Sequence, residues 1–198
     1  MLNDKMKPNQ RLIVAISGAS GAIYGIRALE MLKAAGIETH LVVSKAAALS
    51  LEAETDLSLP DVQNLADVVY KPADIGAGIA SGSFRTLGML IAPCSVKTLG
   101  EITTGVTSSL VSRAADVCLK ERRRLVLMVR ESPLHLGHLR SMAAVTEMGA
   151  IVAPPMPAFY TKPKSLDEMV RQSVARSLAL FDIDVPMTRW GEDISLND

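Results

Sequence analysis

The stretch from Arg11 to Gly25, RLIVAISGASGAIYG, constrains this chain more than any other. An apolar run, Leu12 to Ala15, passes through Ile16 into Ser17-Gly18-Ala19-Ser20-Gly21, after which Ile23, Ile26, Ala28, Leu29 and Leu32 recur at helical spacing. The pattern predicts a buried strand, a tight polar turn and an amphipathic helix. Small residues let the backbone approach an anion, and the first helical turn offers unpaired N–H groups in a favourable dipole, so a phosphate suits the turn. The glycines stand at 18, 21 and 25, which is not GxGxxG, and no Gly-Lys-Ser/Thr follows as in a P-loop. A purely structural turn, with Ser20 capping the helix, fits the same residues.

A chain of 198 residues with 48% hydrophobic content has material for one sizeable α/β domain. Lys+Arg and Asp+Glu are equal at 21 each, so no global charge draws it to nucleic acid or to an anionic membrane. Aromatic residues are 4%, too few for the stacking platforms that hold single-stranded nucleic acid. Cys94 and Cys118 lack zinc-site spacing and only three histidines accompany them, so no metal site is expected. No signal peptide precedes the first strand and no apolar run reaches membrane-spanning length, which makes a reducing cytoplasmic setting the expectation. Residues 1–10 read as a flexible leader, 11–185 as a single α/β domain, and 186–198 as a tail packing over the site or a neighbour.

Along the chain, strand then helix repeats. Glu38 to Val43 predicts a second strand, ending at Ser44 before a helix from Lys45 to Glu54. Thr55 to Asp67, interrupted by Pro60, reads as loop or short helix, and Val68 to Tyr70 as a short strand. Ala73 to Ser83 is a run of small residues suited to either a turn or a lid. Gly88 to Ala92 predicts a strand that delivers Pro93-Cys94-Ser95-Val96-Lys97-Thr98, where Ser95, Lys97 and Thr98 suit a phosphate or a ring edge, or simply a cap and a surface charge. Leu110 to Leu119 predicts a helix ending in the basic group that begins at Lys120.

Leu125 to Val129 is a buried strand that presents Arg130 and Glu131 at its end, with Ser132 as N-cap and Pro133 as first residue of the next helix. Charges abutting a buried strand either pair with each other or serve a ligand. His135 and His138 fall in that helix without a zinc pattern, and Ala150 to Ala153 is a further strand before the proline-rich connector that carries Tyr160. The last helix opens on a capping box, Ser165 to Glu168, and runs an apolar stripe of Leu166, Met169, Val170, Val174, Leu178 and Phe181, with Arg176 beside it. That guanidinium either reaches solvent or needs an anion from this subunit, a neighbour or a ligand. Trp190 is the sole tryptophan.

The fold class is therefore α/β, a Rossmann-like doubly wound, mostly parallel sheet with helices on both faces. The turns at 17–21, Ser44, 93–98 and 130–133 gather at the carboxyl edge, where such sheets bind ligands. A phosphorylated planar group such as flavin mononucleotide (FMN) suits them, and the missing adenosine fingerprint favours a mononucleotide over a dinucleotide.

The sequence resembles the flavin prenyltransferase family, also called phenylacrylic acid decarboxylase-like proteins or 3-octaprenyl-4-hydroxybenzoate carboxy-lyase partner proteins. The residues that carry the resemblance are SGASGAIYG at 17–25, IASGS at 79–83, PCSVKTL at 93–99, the Arg130-Glu131 pair with SPLH, and PPMPAFY at 154–160. It implies an enzyme of flavoprotein fold that transfers a dimethylallyl group from dimethylallyl phosphate to N5 and C6 of reduced FMN, making prenylated FMN for a separate decarboxylase. Under it, Gly18, Ala19 and Ser20 hold the flavin phosphate or line the flavin, and Ser44, Ser95, Val96, Lys97 and Thr98 complete the cradle. Arg130 contacts flavin and substrate phosphate, Lys120, Tyr160 and Arg176 grip the dimethylallyl phosphate, and Glu131 assists proton movement. Glu54 and Trp190 are similar to further family site residues, and Ser20 and Lys120 join Glu131 and Glu54 among the catalytic candidates. The family's assembly implies a homododecamer. The competing classes are an FMN-dependent aromatic acid decarboxylase and a non-catalytic flavin carrier.

Overall fold

The computed structural model describes residues 10–194. Residues 1–9 of the expected leader at 1–10 and the last four residues of the tail lie outside the described residues. Six strands, β1 (Arg11–Ile16), β2 (Glu38–Val43), β3 (Val68–Tyr70), β4 (Gly88–Cys94), β5 (Arg124–Val129) and β6 (Ile151–Val152), form one sheet in the order β3-β2-β1-β4-β5-β6. Every pairing is parallel. The chain starts at the centre, builds outward to β3, crosses to β4 and builds outward again to β6. The carboxyl ends of β1 and β4 therefore send their connections apart, and a crevice opens between them.

The alternating register of each strand feeds two apolar layers. Leu12, Val14 and Ile16 of β1 and Leu90 and Ala92 of β4 face α1 (Ala22–Ala34) and α7 (Leu166–Leu178). Ile13 and Ala15 of β1 and Met89, Ile91 and Cys94 of β4 face α4 (Val96–Thr104) and α5 (Leu110–Lys120). Burial on both faces explains why these strands read as continuous apolar runs rather than alternating ones. Each fully buried Leu or Ile contributes roughly 1.5–3 kcal/mol. Cys94 and Cys118 are buried and unpaired in the second layer, and burial pushes both thiols up to about 12, partly opposed at Cys118 by the Arg123 charge.

Ser44 ends β2 and caps α2 (Lys45–Glu54), its hydroxyl accepting the Ala47 N–H at 3.1 Å, so both elements have the expected bounds. The 55–67 segment contains a short helix, α3 (Leu59–Gln63), with a Ser58–Asp61 capping box. Outside the first layer, Arg27 and Arg171 alternate with Glu30 and Asp167 in a ring of ion pairs of 2.6–2.9 Å that joins α1 to α7.

Several expectations require correction. β4 runs on through Pro93 to Cys94, with a register shift against β5 after Ile91. The helix after β5, α6 (Leu136–Glu147), starts beyond Ser132 and Pro133, because the His135 imidazole supplies the cap, its Nδ1 accepting the Gly137 and His138 N–H groups. Only half of the box at α7 forms. Ser165 accepts the Glu168 N–H at 3.1 Å, while the Glu168 carboxylate turns to the Lys164 N–H at 2.6 Å. The α7 stripe begins at Val170, since Leu166 is exposed.

Candidate functional site

The crevice between β1 and β4 is closed at its floor by Ser17. Its buried hydroxyl donates to the Pro93 carbonyl at 2.8 Å and accepts the Ser95 N–H at 2.8 Å. Both directions of that hydroxyl are thus used to join the two turns. Ser95 in turn caps α4, accepting the Thr98 N–H at 3.3 Å and donating to Thr98 Oγ1 at 3.1 Å. On the other side the Ser44 N–H donates to the Ile16 carbonyl at 3.0 Å, which fixes the start of α2 beside the first turn. Gly18 lies so close to α2 that an added Cβ would strike the Ala46 methyl, so only glycine lets these backbones approach.

A cavity of about 430 Å³ sits above this floor, lined by Gly18, Ser44, Lys45, Ser95, Lys97 and Thr98, with Pro72, Ala73, Ser108, Ser109 and Val111 on the opposite wall. That volume lies within the roughly 300–1,000 Å³ typical of small-molecule sites. The N-terminal ends of α2 and α4 both border it, which supplies amide dipoles suited to an anion. Lys97 pairs with Glu101 at 2.6 Å, and Glu101 also accepts the Ser108 hydroxyl at 2.6 Å. Burial raises the Glu101 carboxyl, and the bonds from Lys97 and Ser108 outweigh it and hold the group below the usual carboxylate range. Val96 opens α4 half-buried at the same place, and Ala19 closes the first turn through its N–H to the Ser17 carbonyl at 2.8 Å. Small walls, two helix ends and lysines at 45 and 97 fit a planar ligand carrying a phosphate.

The start of α1 is used differently from the expectation. Gly21, not Ser20, occupies the N-cap position, with a left-handed φ of 106°. The Glu54 carboxylate accepts the Gly21 N–H at 2.7 Å and the Ala22 N–H at 3.1 Å, so a protein anion already fills the place suggested for a phosphate. This brings Glu54 to the same turn as Ser20, which is exposed. Tyr24, in the first turn of α1, has its hydroxyl pKa raised by burial and partly lowered again by the charge of Arg130, which places Arg130 near this helix start. The Arg130 N–H donates to the Cys94 carbonyl at 3.1 Å, and the Glu131 carboxylate accepts the Ser132 N–H at 2.9 Å. Among the described residues no ion pair joins Arg130 to Glu131, so their charges are not spent on each other.

The remaining candidates lie elsewhere on the chain. α5 begins beside the cavity, where the Leu110 N–H reaches the Pro72 carbonyl, and ends next to the first residue of β5. Lys120 is therefore at the amino edge of the sheet, paired with Glu121 at 2.5 Å. Arg176 is exposed on α7 and lines a separate groove with β6, Pro154 and Met156. Tyr160 meets Trp190 edge-to-face, ring centroids 5.3 Å apart. One chain thus gathers Gly18, Ser44, Ser95, Lys97 and Thr98 around the cavity, with Ala19 and Val96 adjoining them in sequence, and Lys120, Tyr160, Arg176 and Trp190 are not among its lining residues.

The small-residue segment 79–83 is a pinned turn rather than a free lid. Arg113 donates to the Ala80 carbonyl at 3.2 Å, and Arg123 to the Gly82 and Phe84 carbonyls at 2.5 and 2.6 Å. Sequence reasoning missed Lys45, Glu101 and the Pro72 and Ser108 walls. For Lys45 and Pro72 a signal existed, since both follow the carboxyl ends of strands.

Residues 2–176 match the family model described as Flavoprotein. The chain is 56% identical over 181 residues to the flavin prenyltransferase UbiX of Thauera aromatica, covering 91% of this chain and 93% of that protein. It superposes with a TM-score of 0.91 and 49% identity on AnUbiX (PadA1), solved in complex with FMN and dimethylallyl pyrophosphate, covering 92% of this chain and 98% of that one. It also superposes, at 0.88 and 49% identity, on a dodecameric FMN-dependent UbiX-like decarboxylase from Escherichia coli O157:H7, covering 91% and 98%.

Proposed function

This chain belongs to the flavin prenyltransferase family, and from that membership we propose that it transfers a dimethylallyl group from dimethylallyl phosphate to N5 and C6 of reduced FMN. The observation that carries the reading is the cavity at the β1–β4 crevice, in a chain that superposes at 0.91 on a relative solved with FMN and a dimethylallyl diphosphate ester. Residues 11–185 act as the flavin-binding domain, with 186–198 as its tail.

The flavin is the acceptor substrate, held by Gly18, Ala19, Ser44 and Ser95 to Thr98, with Ser20 and Glu54 beside the first turn. The bond from allylic C1 to the phosphate oxygen breaks as C1 joins N5, which gives up its proton to the departing phosphate; the double bond then takes a proton at C2, and C3 closes onto C6 as C6 loses its own proton. Charge builds on the departing phosphate, and fixed cations and a hydroxyl aimed there lower the barrier. Lys120, Arg130, Arg176 and Tyr160 supply them, Trp190 shields the prenyl chain, and Glu131 relays the proton.

Since Lys120, Tyr160 and Arg176 do not line the cavity of one chain, neighbouring subunits would complete the phosphate grip. A homododecamer, the form named for the Escherichia coli relative, is the assembly we propose. Prenylated FMN would pass to a partner decarboxylase. Two buried free thiols support a reducing, cytoplasmic setting, and no helix among the described residues is long and apolar enough to cross a membrane.

Anaerobic incubation with reduced FMN and dimethylallyl phosphate, beside the pyrophosphate, tests the reaction. A flavin heavier by one five-carbon unit is expected in the mass spectrum. The Escherichia coli relative is named a decarboxylase, which supports a second reading, direct decarboxylation, for which an aromatic acid is the substrate to try. Carbon dioxide released by the protein alone, with no modified flavin, would establish that reading instead.

A further inference from the structure

The stretch from Ile183 to Ile194 is attached to the body by two kinds of contact. Ile183 and Val185 are buried in the first core layer, and Met187 packs against it. At the next residue the tether is polar. Gln172, on α7, donates its Nε2–H to the Thr188 carbonyl at 2.7 Å and accepts the Thr188 N–H on Oε1 at 3.1 Å. One side-chain amide therefore pairs with both backbone groups of a single residue, as a neighbouring strand would.

Beyond Thr188 the chain closes on itself. Asp193 Oδ2 accepts the Arg189 N–H at 2.6 Å, the Arg189 carbonyl accepts the Asp193 N–H at 3.0 Å, and the Ile194 carbonyl accepts the Gly191 N–H at 3.0 Å. The result is a small self-bonded turn, oriented by the point where it joins the body. Trp190 stands in this turn, 54% exposed, with its ring against Tyr160. So exposed a ring is not fixed by core packing, and its direction depends on how the turn is held.

We propose that Gln172 is a positioning residue for the prenyl-phosphate side of the site, its two-point grip on Thr188 setting the turn that stands Trp190 against Tyr160. The inference rests on the assignment of Tyr160 and Trp190 to that substrate. Gln172 touches neither ring and acts through the backbone. The amide is suited to the task because it offers a donor and an acceptor together, which a carboxylate or an aliphatic side chain does not.

The test uses the full-length assembled protein and its single tryptophan. Gln172→Leu removes both bonds at similar volume, and Gln172→Glu keeps the acceptor for the Thr188 N–H. Gln172→Leu should make Trp190 more accessible to acrylamide before any substrate is added. It should also raise the KM for dimethylallyl phosphate about threefold to tenfold, the range expected for losing one to two ordinary hydrogen bonds, while flavin affinity stays within about twofold. Gln172→Glu should fall between, and carries the test if the leucine variant does not assemble. Unchanged quenching in an assembled variant refutes the grip. Altered quenching with an unchanged KM refutes its bearing on the substrate, and a loss of flavin affinity that tracks Tm reduces Gln172 to a stability residue. If the wild-type protein prenylates no flavin, the reading of the reaction falls, and the tryptophan signal still decides the grip.

Discussion

Ser17 and Ser95 stand 78 residues apart in sequence and share the bond that closes the floor of the cavity, the Ser95 N–H donating to the Ser17 hydroxyl at 2.8 Å. Replacing Ser17 with Ala leaves that buried N–H without its partner, at a cost of about 1–3 kcal/mol. Thermal melts should show the loss, and titration should show weaker FMN binding, because the first and second turns would no longer hold a common spacing. A variant with wild-type Tm and flavin affinity would mean that the hydroxyl is dispensable.

Gly18→Val should be more severe for flavin than for the fold. The new side chain meets the Ala46 methyl at the wall of the cavity, so either α2 shifts or the turn does. Loss of retained flavin in a protein with near-native circular dichroism is the expected result. Full flavin loading would place the ligand elsewhere.

Lys120 and Arg130 sit at opposite edges of one sheet. If neighbours complete the site, Lys120→Ala and Arg130→Ala proteins should each be nearly inactive, and co-assembly from a mixed refold should restore part of the activity. Arg176→Ala should likewise raise the requirement for prenyl phosphate far more than it lowers flavin retention. Mixtures no better than the sum of their parts would argue for a site within one chain.

Glu131→Gln should slow product formation by roughly a hundredfold or more with both ligands still bound, the scale of a lost proton-transfer group. Single-turnover mass spectrometry separates this from a binding defect. An unaltered rate would remove Glu131 from the proton path.

Acid should weaken the fold through specific carboxylates. Glu101 and Glu38 are raised by burial, and bonds from Lys97 and Ser108 in one case and Arg11 and His40 in the other outweigh this, so both end below their ordinary values. Asp67 is lowered chiefly by the Thr39 backbone N–H, against opposing burial. A carboxyl depressed in the folded state contributes stability above its unfolded pKa, and that contribution is lost as pH falls through the folded value. Tm should therefore hold steady near neutrality and fall as pH drops through and below about 4. Glu101→Gln should show a smaller fall. Identical curves would assign the acid sensitivity to other groups.

The parts of the fold legible in the sequence are those set by neighbours in sequence. Ser44 both ends β2 and caps α2, so their bounds follow from local chemistry. The start of α6 was not legible, because Ser132-Pro133 offers a local cap signal while the His135 imidazole supplies the cap used. Nor was the occupant of the α1 N-terminus, since Glu54 arrives from 33 residues away. The cradle around Ser44 and Ser95 to Thr98 was legible because strand carboxyl ends in a parallel sheet share an edge. Its Ser108 wall was not, because 105–109 follows a helix and carries no strand signal.

Burial of both cysteines also has a practical side. With their thiols pushed up to about 12 and no access from solvent, neither forms the thiolate that alkylating reagents attack at neutral pH. The native chain is in effect a cysteine-free background for maleimide chemistry, with no core residue to replace. Glu192 is exposed and two residues from Trp190, so a single Glu192→Cys change offers one site for a fluorophore or spin label on the turn that Gln172 holds. Motion of the tail as prenyl phosphate enters can then be followed in solution by energy transfer or electron paramagnetic resonance.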